Sequence, residues 1–291
     1  MQQGVRQQAD PAYRDPIRRR SLMALFDDGF PGLSARIEEA RRAGFDWDVV
    51  TWPTIAWEGD EAVGHVGLLE HRVMLDGQDV LTGGIHAVVT RSDRRGHGIA
   101  RDCLARSLAD ADRRYTVTKL GTDLPAVYAP QGFTPLVPHL FAVEHAGGED
   151  GGRPVAEADR ASFLDLCARR DPVSWRFASL DPGWLVGIDL ALQRRSLADL
   201  VALDELGAVV DWEVVDGVLH LHDVFAAELP TLRDLLALAP PHAGVRLAMC
   251  PDRLAPDAVP VPQPDAGVFM VRGAWPLPLE LPLGVSRLAE H

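Results

Sequence analysis

The sequence contains no apolar segment long enough to cross a membrane. Among its 291 residues, charged residues or prolines interrupt every apolar run well before the roughly 20 residues that a membrane-spanning helix needs. The first 16 residues are polar and lack the apolar core of a secretory signal. The sequence therefore predicts a cytoplasmic protein that has no membrane as a partner.

Cysteine and lysine are scarce, and basic residues are outnumbered. The three cysteines (Cys103, Cys167 and Cys250) form no C-x-x-C pair, so neither a disulfide framework nor a metal site is indicated. Lys119 is the one lysine among 29 basic residues, which face 42 acidic ones and leave a net charge of −13. Because a phosphate backbone needs a clustered basic surface, we expect no nucleic acid partner. The negative charge favours a small cationic ligand.

The order of elements predicts a mixed α+β protein. Two short helices lead to a meander of three antiparallel strands that starts at Trp52. An amphipathic helix over 98–113 follows, and then a strand, a short helix and another extended piece reach Val143. The resulting string is ααβββαβαβ, with a mostly antiparallel sheet flanked by helices.

A second unit is expected after a linker. The segment 145–154 is rich in glycine and acidic residues, which predicts a division into residues 1–150 and 151–291. In the second half, a hairpin with the turn Asp216-Gly217, a helix and a strand repeat the order of the first half. A strand over 268–272 is expected to complete this unit. The alternative is an unrelated α+β domain that shapes a binding pocket.

The segment 87–100, AVVTRSDRRGHGIA, joins a strand to the amphipathic helix through a loop with two glycines. Glycine lets a ligand approach the backbone, and the first amides of a helix point outward with partial positive charge. With Arg94 and Arg95 beside it, the loop favours a pyrophosphate. Alternatively, the glycines serve only the tight turn.

Two common phosphate motifs do not fit this loop, but a third does. Gly98 is not followed by the Lys-Ser or Lys-Thr of a P-loop, and position 101 is arginine where a Rossmann fingerprint needs glycine. The remaining pattern, R-x-x-G-x-A at Arg95, Gly98 and Ala100, resembles the pyrophosphate loop of the GNAT superfamily of N-acetyltransferases. Tyr128, which precedes Gly132-Phe133 by four residues, resembles the tyrosine helix of the same family. The resemblance covers about residues 20–143.

The resemblance implies a GNAT fold and a site for acetyl-CoA as the acetyl donor, without a metal. The end of the strand would offer its main chain to the pantetheine arm, and the loop would surround the pyrophosphate. His97 is expected to contribute only its amide. The residues implied for the donor are Val88, Val89, Thr90, Arg94, Arg95, Gly96, His97, Gly98, Ile99 and Ala100.

The resemblance also implies catalytic and acceptor residues. Tyr128 would protonate the departing sulfur, because a phenol with a pKa near 10 still holds its proton when the thiolate forms. The alternative for Tyr128 is an aromatic of the core. His86 is the candidate base, although an exposed strand histidine, Glu70 with His71, or a base-free route through water are alternatives. Glu70 and Phe30 are expected to bind the acceptor.

The corresponding loop in the second half lacks the residues that would bind a pyrophosphate. Residues 226–232 contain no glycine and no arginine, and Glu228 would repel a pyrophosphate, so this unit is expected not to bind coenzyme A. Two units with one competent site resemble the enhanced intracellular survival family without its sterol-carrier-like domain. The implied function is acetyl transfer from acetyl-CoA to a primary amine of a small, cationic acceptor. The alternative is a noncatalytic acyl-CoA-binding protein, and a homo-oligomer stays open.

Overall fold

The computed structural model describes residues 11–263 and 267–287, and the following elements lie within them. The helices are α1 (Pro11–Arg14), α2 (Pro16–Gly29), α3 (Leu33–Arg42), α4 (Ile99–Ala111), α5 (Pro125–Tyr128), α6 (Arg160–Ala168), α7 (Trp184–Leu192) and α8 (Leu232–Ala237). The strands are β1 (Thr51–Glu58), β2 (Glu61–Leu75), β3 (Gln78–Thr90), β4 (Val117–Thr122), β5 (Thr134–Leu136), β6 (His139–Val143), β7 (Arg153–Pro154), β8 (Phe177–Ser179), β9 (Val201–Leu203), β10 (Ala208–Val215), β11 (Val218–Ala226), β12 (Gly244–Leu247), β13 (Val259–Pro262) and β14 (Val268–Gly273).

The first sheet contains the predicted meander. Its strands lie in the order β1, β2, β3, β4, β14 and β5, and β8 adds to β2. β2 and β3 are joined by the two-residue turn Asp76-Gly77, whose φ angles of 49° and 72° match the twist of a tight hairpin. The turn sets Leu75 opposite Gln78 and so fixes the register of both strands. The prediction of three antiparallel strands is confirmed.

Helices cover both faces of the first sheet. On one face, α4 buries Cys103, Leu104 and Leu108 in a core that also contains Leu120 of β4. The other face carries α2 and α3, and α7 joins them through Ile188. Each fully buried leucine or isoleucine contributes about 1.5–3 kcal/mol, so these two layers hold β3 between them.

The second sheet repeats the order of part of the first. Its strands lie in the order β13, β6, β12, β11, β10, β9 and β7. The turn Asp216-Gly217 joins β10 to β11, with φ angles of 51° and 78°, and α8 leads to β12, which runs parallel to β11. The hairpin, helix and parallel strand expected in the second half are therefore present.

Two strands lie in the sheet opposite to the one that the sequence indicates. β14 was expected to complete the second unit, yet it lies between β4 and β5 of the first sheet, with Phe269 opposite Gly121. Conversely, β6 pairs with β12 and β13 of the second sheet. Strand pairing depends on tertiary contacts that local sequence does not encode. The division into residues 1–150 and 151–291 stays a prediction, and both sheets take strands from either side of it.

Candidate active site

β3 and β4 pair over two residues and then separate. Gly83 and Gly84 lie opposite Thr118 and Lys119, the extent of the β3–β4 ladder in the described chain. Beyond these pairs the two strands face a cavity of about 650 Å³, lined by residues of β3, β4, α3 and α7. Separated parallel strands leave backbone donors and acceptors free at their edges, so an extended ligand can bind between them as an added strand.

A β-bulge at Ala87 shapes the β3 side of this cavity. Ala87 and Val88 together lie opposite Val66, and the φ angle of Ala87 is 46°. A left-handed conformation costs a residue with a Cβ atom about 1–2 kcal/mol, so the surroundings must stabilise it. The bulge is held by His65, whose Nδ1 donates to the Ala87 carbonyl oxygen at 2.8 Å.

His65 is neutral in the folded protein. Because a carbonyl oxygen only accepts, the proton lies on Nδ1, and Nε2 accepts from the hydroxyl of Tyr13 at 3.1 Å. Burial lowers the pKa of His65 to about 4, although the hydrogen bond to Ala87 acts in the opposite direction. This support was not anticipated, because the sequence around His65 marks neither a turn nor a bulge.

His86 lines the cavity, as the sequence analysis requires of a base. Its Nε2 is hydrogen-bonded to Oγ1 of Thr51 at 3.3 Å, and the edge of Trp47 meets its ring at a centroid distance of 4.7 Å. The ring lies directly over Gly67, where a Cβ atom would be 2.4 Å from Nε2. Three neighbours therefore fix the imidazole, and any side chain at position 67 would displace it.

Tyr128 also lines the cavity. Pro125 begins the one-turn helix α5, and the ring of Tyr128 packs edge-on against Phe133 at 6.1 Å. Burial raises the pKa of Tyr128 above its usual 10, and a hydrogen bond with Thr122 opposes this shift. The phenol is therefore protonated at neutral pH. The residue belongs to a core cluster, as the alternative interpretation expects, and it also borders the cavity, as a proton donor would have to.

The glycine loop ends at an uncapped helix. Gly96 and Gly98 have φ angles of 81° and 80°, and Gly98 is the N-cap of α4 without any side chain bonded to the first amides. A Cβ atom at Gly96 would meet open space, and Arg95, Gly96 and His97 are exposed. Free amides at the start of a 13-residue helix suit an anion, so this loop fits the pyrophosphate that the sequence implies.

The arginines of the loop have different surroundings. Arg94 forms a two-pronged contact with Glu58, in which Nε and Nη2 each donate at 3.0 Å, and it also pairs with Asp93. The Arg94 guanidinium lowers the pKa of Glu58. Arg95 is exposed, and its Nε donates to the carbonyl oxygen of Thr90 at 3.3 Å. Arg94 thus fixes the loop, while the charge of Arg95 is available to a ligand.

The side chains of the other residues predicted to bind acetyl-CoA point in different directions. Val88 lines the cavity, whereas Val89 is buried under α2, where a Cβ atom at Gly29 would be 2.4 Å from its Cγ2. The hydroxyl of Thr90 is buried and has no hydrogen-bond partner in the described chain. Ile99 packs onto Gly64 at the start of α4, and Ala100 follows it in the first helical turn. Their proposed role is in the main chain, so side-chain direction does not decide it.

The two predicted acceptor residues are not brought together. Phe30 lies just after α2 and lines the cavity, with 38% of its surface exposed. Glu70 is exposed outside the cavity lining, and its carboxylate accepts a hydrogen bond from the hydroxyl of Tyr115 at 3.3 Å. Leu69 lines the cavity, and because successive side chains of a strand alternate, Glu70 points to the opposite face of the sheet.

The far wall of the cavity is a helix that the sequence analysis did not find. α7 contributes Leu185, Ile188 and Leu192 to the lining. Its sequence, WLVGIDLAL, is apolar on all sides, so no helical period stands out. The one signal is Asp181-Pro-Gly before the apolar run. Oδ2 of Asp181 accepts from the amides of Gly183 at 2.8 Å and Leu185 at 2.9 Å, which fixes the start of the helix.

Residues 11–263 and 267–287 contain no group of three metal-ligating side chains. None of the helices that the structure describes is both long and apolar enough to span a membrane.

Comparison with known proteins finds a family match in the first part of the chain. Residues 20–135 match the family model of the acetyltransferase (GNAT) domain. The curated proteins include no match to this sequence. The described α+β architecture and the family match confirm the predicted GNAT fold.

Several solved structures share this fold at low sequence identity. A GCN5-related N-acetyltransferase from Kribbella flavida is 18% identical, with a TM-score of 0.54 over 88% of this chain and 68% of its own. A probable N-acyltransferase from Enterococcus faecalis V583 is 13% identical, with a TM-score of 0.61 over 87% and 69%. Eis1 from Mycobacterium abscessus is 15% identical, with a TM-score of 0.52 over 82% and 71%. The structural similarity covers 82–88% of this chain and therefore extends beyond residue 135.

Proposed function

We propose that this chain, which carries a GNAT acetyltransferase domain over residues 20–135, transfers an acetyl group from acetyl-CoA to the primary amine of a small acceptor. One observation carries the proposal: the gap between β3 and β4 leads into the same cavity that His86 and Tyr128 line. A strand-like donor and two groups able to move protons thus meet at one place.

The donor is held mainly by main-chain groups. The free edge of β3 at Val88, Val89 and Thr90 would pair with the pantetheine arm, as an added strand does. The amides from Arg95 to Ala100 would bind the pyrophosphate at the start of α4, with the exposed guanidinium of Arg95 beside them. When bound, acetyl-CoA supplies the thioester carbonyl that the amine attacks.

His86 is proposed to accept the proton of the amine. An amine is a cation in solution, and its nitrogen must lose a proton before its lone pair can form the new bond to the carbonyl carbon. The imidazole of His86 is fixed by Thr51 and Trp47 and faces the cavity, so it can take this proton directly or through one water.

Tyr128 is proposed to donate a proton to the departing sulfur. As the bond from the acyl carbon to sulfur breaks, its electron pair remains on sulfur and is neutralised by the phenolic proton. The raised pKa of Tyr128 keeps this proton in place across the neutral range. Without the hydroxyl, the leaving group departs as a free thiolate, and we expect turnover to fall about 10²- to 10⁴-fold.

The cavity also carries charge that suits a cationic amine. Asp123 lies at its exposed rim, and Asp189 lies in the wall formed by α7. The exposed carboxylate of Asp123 would attract an ammonium group before it is deprotonated. This charge favours an amine over an alcohol or a phosphate ester as the acceptor.

A panel of primary amines, with free thiol released from acetyl-CoA as the readout, tests the function. Tyr128→Phe should bind coenzyme A like the original protein and lose most turnover. Tyr115→Phe is the matched control, because its hydroxyl contacts Glu70 on the opposite face of the sheet and its loss should leave turnover unchanged. Normal turnover in Tyr128→Phe would remove the acid role. Binding of coenzyme A without turnover of any amine would favour a noncatalytic acyl-CoA-binding protein.

A further inference from the structure

The acceptor end of the cavity has an apolar wall made by two helices. Leu185, Ile188 and Leu192 of α7 follow the spacing of one helix face, and Leu33 of α3 lies in the same lining. α7 packs closely on its neighbours, because a Cβ atom at Gly187 would be 2.3 Å from the ring of Phe45. An acceptor that fills this end would contact these apolar side chains.

Two charged side chains interrupt this apolar wall: the carboxylate of Asp189 on α7 and the guanidinium of Arg36 on α3. Arg36 lies one helical turn after Leu33, lines the cavity and is half-buried. Its Nη2 makes a long contact of 3.4 Å with the carbonyl oxygen of Pro31, and its Nε is buried without a hydrogen-bond partner. Arg36 forms no ion pair with any carboxylate in residues 11–263 and 267–287.

A half-buried guanidinium beside apolar side chains is costly unless an anion meets it. Burial removes part of its hydration, and a polar atom left unsatisfied costs roughly 1–3 kcal/mol. A carboxylate matches the planar donors of arginine with two parallel hydrogen bonds. A phosphate would bring about two negative charges toward Asp123 and Asp189 in the same lining, so a single negative charge fits better.

We propose that the acceptor is an amino carboxylate with an apolar side chain, bound by its carboxylate at Arg36. The inference rests on the proposed function and specifies its acceptor. The apolar body packs against Leu185, Ile188 and Leu192, and the amine points toward His86. Charges of both signs in one lining suit a molecule that carries both an ammonium and a carboxylate group.

Matched pairs of amines test this assignment. Phenylalanine is compared with phenethylamine, and leucine with 3-methylbutylamine, so that each pair differs by the carboxylate. We expect kcat/KM to be about tenfold to a hundredfold higher for the carboxylated member, the range of a charge-assisted hydrogen bond. Arg36→Gln should abolish this preference, and Arg36→Lys should restore part of it.

The control is Arg41→Gln, which removes an exposed arginine from the same helix and should leave the preference intact. Equal rates within each pair, or an unchanged preference in Arg36→Gln, would overturn the inference while leaving the acetyltransferase in place.

A binding measurement separates this inference from the proposed function. 3-Phenylpropanoate has the carboxylate and the apolar body but no amine, so it cannot be acetylated. Calorimetry with the full chain and coenzyme A should show affinity about tenfold lower in Arg36→Gln than in the original protein or in Arg41→Gln. If no amine is acetylated but this difference appears, the proposed function fails and the carboxylate site stands. If Arg36→Gln binds 3-phenylpropanoate as well as the original protein does, the site is refuted.

Discussion

The two sheets share an order of elements but differ at the start of the helix that follows the hairpin. α4 begins at Gly98, where no side chain bonds to the first amides. α8 begins after Thr231, whose Oγ1 accepts from the amide of Asp234 at 3.2 Å, and it has six residues against thirteen in α4. The first helix therefore offers free amide donors to an anion, whereas the second helix satisfies one of its amides with the side chain of Thr231.

The strand edges differ in the same way. The edge of β3 faces the cavity, but the edge of β11 is covered by the chain itself. The carbonyl oxygens of Val224 and Ala226 accept from Nη2 of Arg170 and the amide of Asp171, both at 2.8 Å. Arg170 also forms a buried ion pair with Asp223. A shared topology thus produces a binding site only where backbone groups remain unsatisfied, which is why we expect one coenzyme A site per chain.

The largest effect is expected from Gly98→Val. Valine would force a β-branched residue into a φ angle of 80° and crowd the place where the pyrophosphate meets the backbone. We expect the affinity for coenzyme A to fall between about a hundredfold and a thousandfold, measured by calorimetry, equivalent to roughly 3–4 kcal/mol.

Gly217→Val is the matched control in the second sheet. Gly217 has a φ angle of 78°, and a Cβ atom there would meet nothing within 4 Å. The Gly217→Val variant should therefore show similar backbone strain and an unchanged affinity for coenzyme A. Comparable loss of affinity in both variants would mean that strain, and not the loop, explains the result.

The second-largest effect is expected at His65, which supports the bulge at Ala87, and it is an effect of pH on stability. His65 has a folded pKa of about 4 against an ordinary 6.5, so the unfolded chain takes up the proton first as the pH falls. The contribution of neutral His65 to the free energy of unfolding is therefore present above pH 6.5 and is lost as the pH falls toward 4. Between pH 7 and pH 5 the loss is about 2 kcal/mol. In the His65→Asn variant, the free energy of unfolding measured with denaturant should no longer fall by this amount between pH 7 and pH 5. The variant should also bind coenzyme A more weakly.

His222 of β11 sharpens this comparison. Its pKa is also lowered to about 4, chiefly by burial, although it contacts Glu213 at 2.9 Å. His222→Asn should likewise reduce the pH dependence of stability but leave the affinity for coenzyme A unchanged. If His222→Asn weakened coenzyme A binding as much as His65→Asn does, the role assigned to the bulge at Ala87 in binding coenzyme A would be contradicted.

The smallest effect is expected at the cap of α8. Thr231→Ala removes the acceptor for the Asp234 amide and should lower the free energy of unfolding by about 1 kcal/mol, measured by denaturant titration. It should not create a second coenzyme A site, because α8 is short and the edge of β11 stays covered. A new site in this variant would show that capping alone separates the two units.

The sequence was informative where the chemistry is local. The loop and Tyr128 were predicted from residue types at short spacing; in the structure the loop leads into α4 and Tyr128 lines the cavity. The position of Glu70 could have been derived as well. The turn Asp76-Gly77 sets Gly67 opposite His86 and Glu70 opposite Gly83, so Glu70 and His86 must face opposite sides of the sheet.

Other features could not be derived from the sequence. The insertion of β14 beside β4 depends on pairing between residues far apart in the chain. α7 has no polar face that would reveal a helix. In the sequence, Arg36 cannot be told apart from the other arginines of α3, because its place in the cavity lining depends on the packing of α7 beside α3. The residues proposed to bind the acceptor are therefore brought together by tertiary packing, whereas those proposed to bind acetyl-CoA lie mostly in one continuous segment.

The stoichiometry of acetyl-CoA binding to the full chain tests the central claim most directly. Isothermal titration should give one site per chain. In the first sheet the helix after the hairpin starts uncapped beside an open strand edge, whereas in the second sheet that helix is capped and the strand edge is covered. Two equivalent sites per chain, or one site that survives Gly98→Val with normal affinity, would contradict this account.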